Sequence, residues 1–281
     1  MTEIRNFKVS ESVKQNLNAQ DYTKFIKYGD INIMILCDGH GTDNVINMIK
    51  SLYDNNWIDI LKSFDNKIIL EELKKIIPTG VLSGSTITIV FILPDRIRVM
   101  WMGDSCAVIM IDGDIIKKTI DHSVNDNNKH KLIDEGYTFR PERSCKAINS
   151  DTINISTDYR VYKNGLGGCN LYRALGDQEI YDKELETFDI LYSDFGKGNY
   201  QITIASDGIW DVVLQNDTKF LWKQTAKNIV DKSYNKWNQE WKIMRNGEII
   251  YIDKEKQIPK FLNWSKNMID DISCISCIFT F

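Results

Sequence analysis

The stretch MILCDGHGTD, residues 34–43, sets an apolar run directly against Asp-Gly-His-Gly. The run, residues 31–37, reads as a buried strand. Asp38-Gly39 then reads as a turn, which needs no further explanation. A histidine placed straight after a carboxylate at a strand end can also do chemistry. Other strands raise the same choice: VMWMGDS carries Asp104 and ITIASDG carries Asp207. The last strand begins with Asp270 and Asp271, and Asp21 lies ahead of the first in NAQDYTKFI. Asp112-Gly113 is an internal control, because apolar strand flanks it on both sides and a plain hairpin explains it. Asp38-Gly39 and Asp207-Gly208 lead instead into HGTD and IWDVV. Singly, each is a turn; as a set, they point to a site.

Hard divalent cations take several oxygen ligands, and carboxylates at the ends of rigid strands supply them at fixed positions. Glycine beside the aspartate lets the backbone carbonyl approach an ion closely. Aspartates without a matching His/Cys cluster point to Mg²⁺ or Mn²⁺ rather than zinc. Such carboxylates would repel one another unless cations lay between them.

The rest of the chain is ordinary for a globular protein. It has 281 residues, 43% hydrophobic and 26% charged, with a net charge of -4, so no basic surface is advertised for nucleic acid. The N-terminus lacks the apolar core of a signal peptide, and the apolar runs are too short to span a bilayer. Six scattered cysteines fit a reducing compartment, so a cytoplasmic or otherwise intracellular protein is expected, with no membrane partner. Cys274 and Cys277 match C-x-x-C, but residues three apart on a strand face opposite ways, which favours core packing over a shared metal or disulfide.

Along the chain, Val45, Ile46, Ile49, Leu52 and Tyr53 fall on one helical face, with Asp43 or Asn44 as its cap. KIILEELKKII forms a second helix that stops at Pro78. STITIVFIL, RIRVMWM, YQITIAS and DISCISCIFTF read as strands, and AVIMIDGDIIKKTI and RNGEIIYI as hairpins. Residues 124–136 and 217–232 read as helical and 140–170 as irregular, with GLGGCN (165–170) a mobile surface loop. Trp237 and Trp241, four apart, share a helical face, as core or as a partner surface. Strands and helices cluster without regular βαβ alternation, so a layered α+β sandwich is expected, one domain over 1–281.

In order along the chain stand AQD (19–21), DGHG (38–41), SGST (83–86), GDS (103–105), DHS (121–123), YRALGD (172–177), SDGIWDVV (206–213) and DDIS (270–273). This series resembles the metal-dependent serine/threonine protein phosphatases of type 2C. The resemblance implies a central antiparallel β-sandwich flanked by helix pairs (α-β-β-α), with two Mn²⁺ or Mg²⁺ ions and a weaker third in a cleft at one end. It implies that Asp38 bridges two metals, that Gly39 offers its carbonyl, and that Asp207 and Asp270 complete one shell. Asp21 would reach the site partly through water, Asp104 would help hold the third ion, and His40 would be the general acid. The SGST residues would serve packing, and His122 a structural role. The implied substrates are phosphorylated proteins; separately from the resemblance, a monomer is expected.

The chain departs from the pattern at Asn16, Gln20 and Tyr172, in the short stretch between DGHG and SGST, and in an atypical segment at about 233–262. The family carries a phosphate-gripping arginine five residues before the position of Asp21, where this chain has Asn16. Lys14 is the nearby substitute, as a point charge without a two-pronged fork. This leaves three readings: a protein phosphatase, a pseudophosphatase that acts as a regulatory binding module, or a phosphatase of small phosphorylated molecules.

Overall fold

The computed structural model describes residues 4–16, 19–77, 83–163, 166–177, 184–265 and 268–281. Two antiparallel sheets face each other. The first runs β1 (Arg5–Lys14), β20 (Ile272–Thr280), β14 (Asn199–Ala205), β7 (Cys106–Ile111) and β8 (Asp114–Lys118). The second runs β12 (Leu175–Gly176), β4 (Ser83–Ser85), β3 (Ile31–Gly41), β5 (Ile87–Ile92), β6 (Arg96–Met102) and β13 (Glu186–Leu191), with β2 (Asp21–Tyr28) also on β3.

The central strands read as continuous apolar runs because both of their faces are covered. Met34 and Leu36 of β3 point between the sheets, with Val90, Ile109, Ile202, Ile204 and Ile275. Ile33, Ile35 and Cys37 point outward under α1 (Asn44–Lys50), α2 (Asp54–Leu61) and α3 (Asn66–Ile76). On the far side, Val108, Ala205 and Cys274 pack under α6 (Asp207–Trp210), α7 (Thr218–Leu221) and α8 (Ala226–Trp237). The result is the expected four layers. Cys274 and Cys277 do face opposite ways, one toward the helices and one into the inter-sheet core.

Several local expectations need correction. The first helix ends at Lys50; Tyr53 is 80% exposed and precedes α2, which the sequence reading missed. Asp43 occupies the cap position without capping, because its carboxylate accepts from Gln20 Nε2 instead. Pro78 lies outside the described residues. Residues 124–136 hold only the short α4 (Lys129–Ile133). The 217–232 helix is two helices, α7 and α8, broken where Lys223 takes φ 59°. A further short helix, α5 (Tyr192–Phe195), follows β13.

The stretch expected to be irregular is a long hairpin, β9 (Tyr137–Ala147) against β10 (Thr152–Lys163), extended by β11 (Leu166–Cys169). The glycine-rich loop is therefore partly strand; Gly165 lies outside the described residues. Trp237 ends α8 and Trp241 begins β15 (Trp241–Arg245), so they share no helical face, although both are buried. β15 pairs in parallel with β10, which ties the atypical segment to the hairpin. Its turn to β16 (Glu248–Ile249) uses Asn246 and Gly247, both at positive φ, as two-residue hairpins require. Three further short strands follow before β20: β17 (Tyr251–Asp253), β18 (Ile258–Pro259) and β19 (Phe261–Leu262). Among the described residues, no helix is long and apolar enough to cross a membrane.

Candidate active site

Antiparallel register brings the acidic positions to one end of the sandwich. Asp21 at the start of β2 pairs with Asp38 near the end of β3. Ala205, at the end of β14, pairs with Cys106 on one side and Cys274 on the other. Asp207, Asp104 and Asp270 lie just beyond those three paired residues. Asp38, Gly39, His40, Asp104, Asp207 and Asp270 accordingly line a single cleft of about 550 Å³. Asp21 lies behind that lining, 2% exposed. Asp38 and His40 sit on strand rather than turn, since Gly39, His40 and Gly41 still pair with β4.

Backbone contacts hold these groups in place. Thr86 Oγ1 accepts from the Asp38 N–H at 3.0 Å, and Ser85 Oγ donates to the Asp38 carbonyl at 3.1 Å. The SGST hydroxyls thus position Asp38, beyond the packing role expected of them. Gln20 accepts the Gly39 N–H on its carbonyl and donates Nε2–H to Gly41 O and Asp43. Gly208 lets the Asp207 turn pass against the Asp271 backbone; a Cβ there would fall 2.0 Å from the Asp271 carbonyl oxygen. Asp271 in turn accepts the N–H groups of Asn16 and Gln20.

The acids crowd one another. Burial, then Asp21, Asp207 and Asp270, raise the Asp38 carboxyl well above its ordinary range. Burial pushes Asp21 up to about 7, with Asp207 and Asp271 adding to the rise. Asp270 opens to solvent on one side. Protein around its other side, then Asp207, push its carboxyl up to about 8. Among the described residues, neither Asp21 oxygen nor Asp207 Oδ1 has a hydrogen-bond partner.

Among the described residues, no three His, Cys, Asp or Glu side chains close on one point as a ready-made metal cage. The acids ring a cleft instead. Mutually repelling carboxylates with orphaned buried oxygens fit hard divalent cations. Asp38, Asp207, Asp270 and the Gly39 carbonyl are the groups that would hold them.

His40 Nε2 lies 2.6 Å from Asp177 Oδ2. Burial alone would lower the imidazole pKa, but Cys169 and Asp177 outweigh it and hold His40 well above its usual value. Gly84 makes room for the pair, since a Cβ there would lie 2.0 Å from Asp177 Oδ2 and 2.4 Å from His40 Nε2. The sequence reading gave Asp177 no role, although it ends YRALGD. His122 is structural, as expected: buried, with Nδ1 accepting the Gly103 N–H.

Lys14 requires correction. It does not line the cleft; its Nζ lies 3.1 Å from the centroid of the Tyr234 ring on α8. Alternation along β1 turns it toward the helix layer. Asn16 is spent on backbone, its Nδ2 donating to the Asp270 carbonyl. The cations on the cleft wall are instead Lys146 and Arg160, from the β9–β10 hairpin. No local signal marked them, because that hairpin read as irregular. Asp211, which also lines the cleft, stood in plain view in SDGIWDVV.

The family model described as protein phosphatase 2C matches residues 36–240. The chain belongs to the protein phosphatase 2C family. Curated relatives include the probable protein phosphatase 2C 78 of Arabidopsis thaliana, 28% identical over 138 residues that make up 48% of this chain and 28% of the relative. Another is the probable protein phosphatase 2C 59 of Oryza sativa subsp. japonica, 24% identical over 212 residues, 70% of this chain and 60% of the relative. The chain thus spans from 28% to 60% of the length of the curated relatives it matches.

Among solved structures, the serine-threonine phosphatase 2C of Toxoplasma gondii aligns with a TM-score of 0.61 at 10% identity, over 99% of this chain and 98% of that one. A C. elegans sex determining protein aligns at 0.64 with 17% identity, over 99% of this chain and 65% of its own. The catalytic domain of the phosphatase PstP, in complex with two manganese ions, aligns at 0.51 with 13% identity, over 99% of both chains. At these identities the likeness is one of fold. The protein phosphatase 2C fold is the four-layer sandwich described above.

Proposed function

We propose that this protein is a Mn²⁺- or Mg²⁺-dependent phosphatase that hydrolyses phosphoserine and phosphothreonine in protein substrates. The observation that carries the reading is the convergence of Asp38, Asp207 and Asp270, from three separate strand ends, on one cleft that also holds the His40–Asp177 pair. Asp38, the Gly39 carbonyl, Asp207 and Asp270 would hold the ions, with Asp21 behind them. When bound, such ions supply Lewis acidity, which lowers the pKa of a water and offsets negative charge on the phosphoryl oxygens.

The remaining work falls to side chains of this chain. Asp177 engages His40 Nε2 and sustains the imidazolium, leaving Nδ1–H as the ring's second donor. A charged His40 can then give a proton to the departing serine or threonine oxygen. No covalent phosphoenzyme is required, so no cysteine or serine nucleophile is assigned.

A second reading, a binding module without turnover, is favoured by one observation. Asn16 stands where the family's arginine is expected and is engaged with backbone, and Lys14 faces away from the cleft. One assay separates the two: hydrolysis of an aryl phosphate and of a phosphothreonine peptide, with Mn²⁺ and with chelator. Metal-dependent turnover of the peptide is expected, and Asp38→Ala or Asp207→Ala should abolish nearly all of it. Absence of turnover on both substrates would favour the binding module. Cleavage of the aryl phosphate alone would point to small phosphorylated molecules.

A further inference from the structure

Asp104 and Asp211 form a second acidic corner of the cleft, Asp121 joins them from an adjoining hollow, and the Lys146 ammonium stands with them. Its Nζ lies 3.6 Å from Asp121 Oδ2 and 3.8 Å from Asp211 Oδ1. Asp104 adds to the field that, against the cost of burial, holds this lysine well above its ordinary pKa. Backbone fixes the placement: the next residue, Ala147, donates its N–H to the Asp211 carbonyl at 2.7 Å. Lys146 borders both the main cleft and the adjoining hollow of about 290 Å³ that the same three aspartates line.

We propose that the Lys146 ammonium is the built-in counter-cation of this corner, so that divalent ions load only at the Asp38 end. The inference rests on the metal-dependent reading above and corrects its finer detail, the weaker third ion expected at Asp104. The argument is one of charge and space. Three carboxylates brought together repel one another, and Lys146 sets a positive charge beside them. A hard divalent ion must come within about 2.0–2.6 Å of its carboxylate oxygens. An ion that close to both Asp121 and Asp211 would sit against the ammonium, and like charges at such range repel strongly. Loading the corner would therefore require the lysine to leave.

The test is Mn²⁺ titration by calorimetry of the wild type and Lys146→Met, with melting of the metal-free proteins alongside. Two ions are expected in the wild type and one more, weaker, in Lys146→Met. The metal-free variant should melt below the wild type, and Mn²⁺ should close the gap. Should Lys146→Met not fold, Lys146→Gln carries the same expectation, and Lys146→Arg should bind as the wild type does. A third ion in the wild type overturns the inference and leaves the phosphatase reading intact. An unchanged ion count in the neutral variant also overturns it, above all if KM for the phosphopeptide rises tenfold, since the ammonium would then be gripping substrate. No ion in either protein sinks the metal-dependent reading and this inference together.

Discussion

At the scale of single residues, the site depends on groups that hold other groups. Asp177 takes φ 54°, an uncommon conformation for a side-chain-bearing residue, and from there meets His40. Its carboxylate favours the protonated ring, so its loss should lower the His40 pKa. A general acid works only while protonated, so activity falls as pH rises through that pKa. Asp177→Asn should therefore move the alkaline limb of the kcat profile to lower pH and cut kcat by about 10²-fold, at the low end of what acid catalysis supplies. An unmoved limb would separate Asp177 from the proton transfer. Lys14 makes the opposite case. Lys14→Ala should leave KM for a phosphopeptide unchanged and cost about 0.5–1 kcal/mol of stability through the lost contact with Tyr234; a raised KM would return it to the site. Asp38 and Asp207 were legible because each follows an apolar run, and Asp270 because it precedes one. Asp177 was not, because its partner lies 137 residues away and no periodicity leads up to it.

At the scale of elements, legibility followed burial. β3, β5 and β14 are covered on both faces and announce themselves as apolar runs. The β9–β10 hairpin alternates only in pieces, at Tyr137/Phe139, Ile153/Ile155 and Tyr159/Val161, and many of its positions are half-buried, so no continuous apolar run marked it. Yet that hairpin supplies the cations of the cleft wall. α8 has a comparable role, bracing the Asp207 turn from the helix layer. Trp237 Nε1 donates to the Gly208 carbonyl at 2.6 Å, and a position read as core or as a partner surface thus also supports the site. Trp237→Phe keeps the ring and removes the donor, leaving a buried carbonyl short of its partner. The expected loss is about 1–3 kcal/mol, seen as a lower denaturant midpoint at unchanged slope. An unchanged midpoint would show that the bond contributes nothing.

At the scale of the whole molecule, the sandwich assembles like charges that its own packing does not neutralise. The folded chain holds protons on Asp21 to about pH 7 and on Asp270 to about pH 8. In the unfolded chain an aspartate releases its proton near pH 4. Between those limits the native state binds more protons than the unfolded state, so the stability of metal-free protein falls as pH rises through the window. Above it the loss is complete. A divalent ion binds the ionised carboxylates and competes with those protons, so its affinity rises over the same range. The expectation is thus two-sided. In chelator, the melting temperature should drop between pH 5 and pH 8. In Mn²⁺ it should stay nearly level, so that the stabilisation by metal is small at pH 5 and large at pH 8. Each kcal/mol of that difference amounts to about 2–4 °C in a domain of this size. A metal-free melting temperature that held constant or rose toward pH 8 would mean that these carboxylates are not under mutual strain, and the case for cations between them would lose its electrostatic ground.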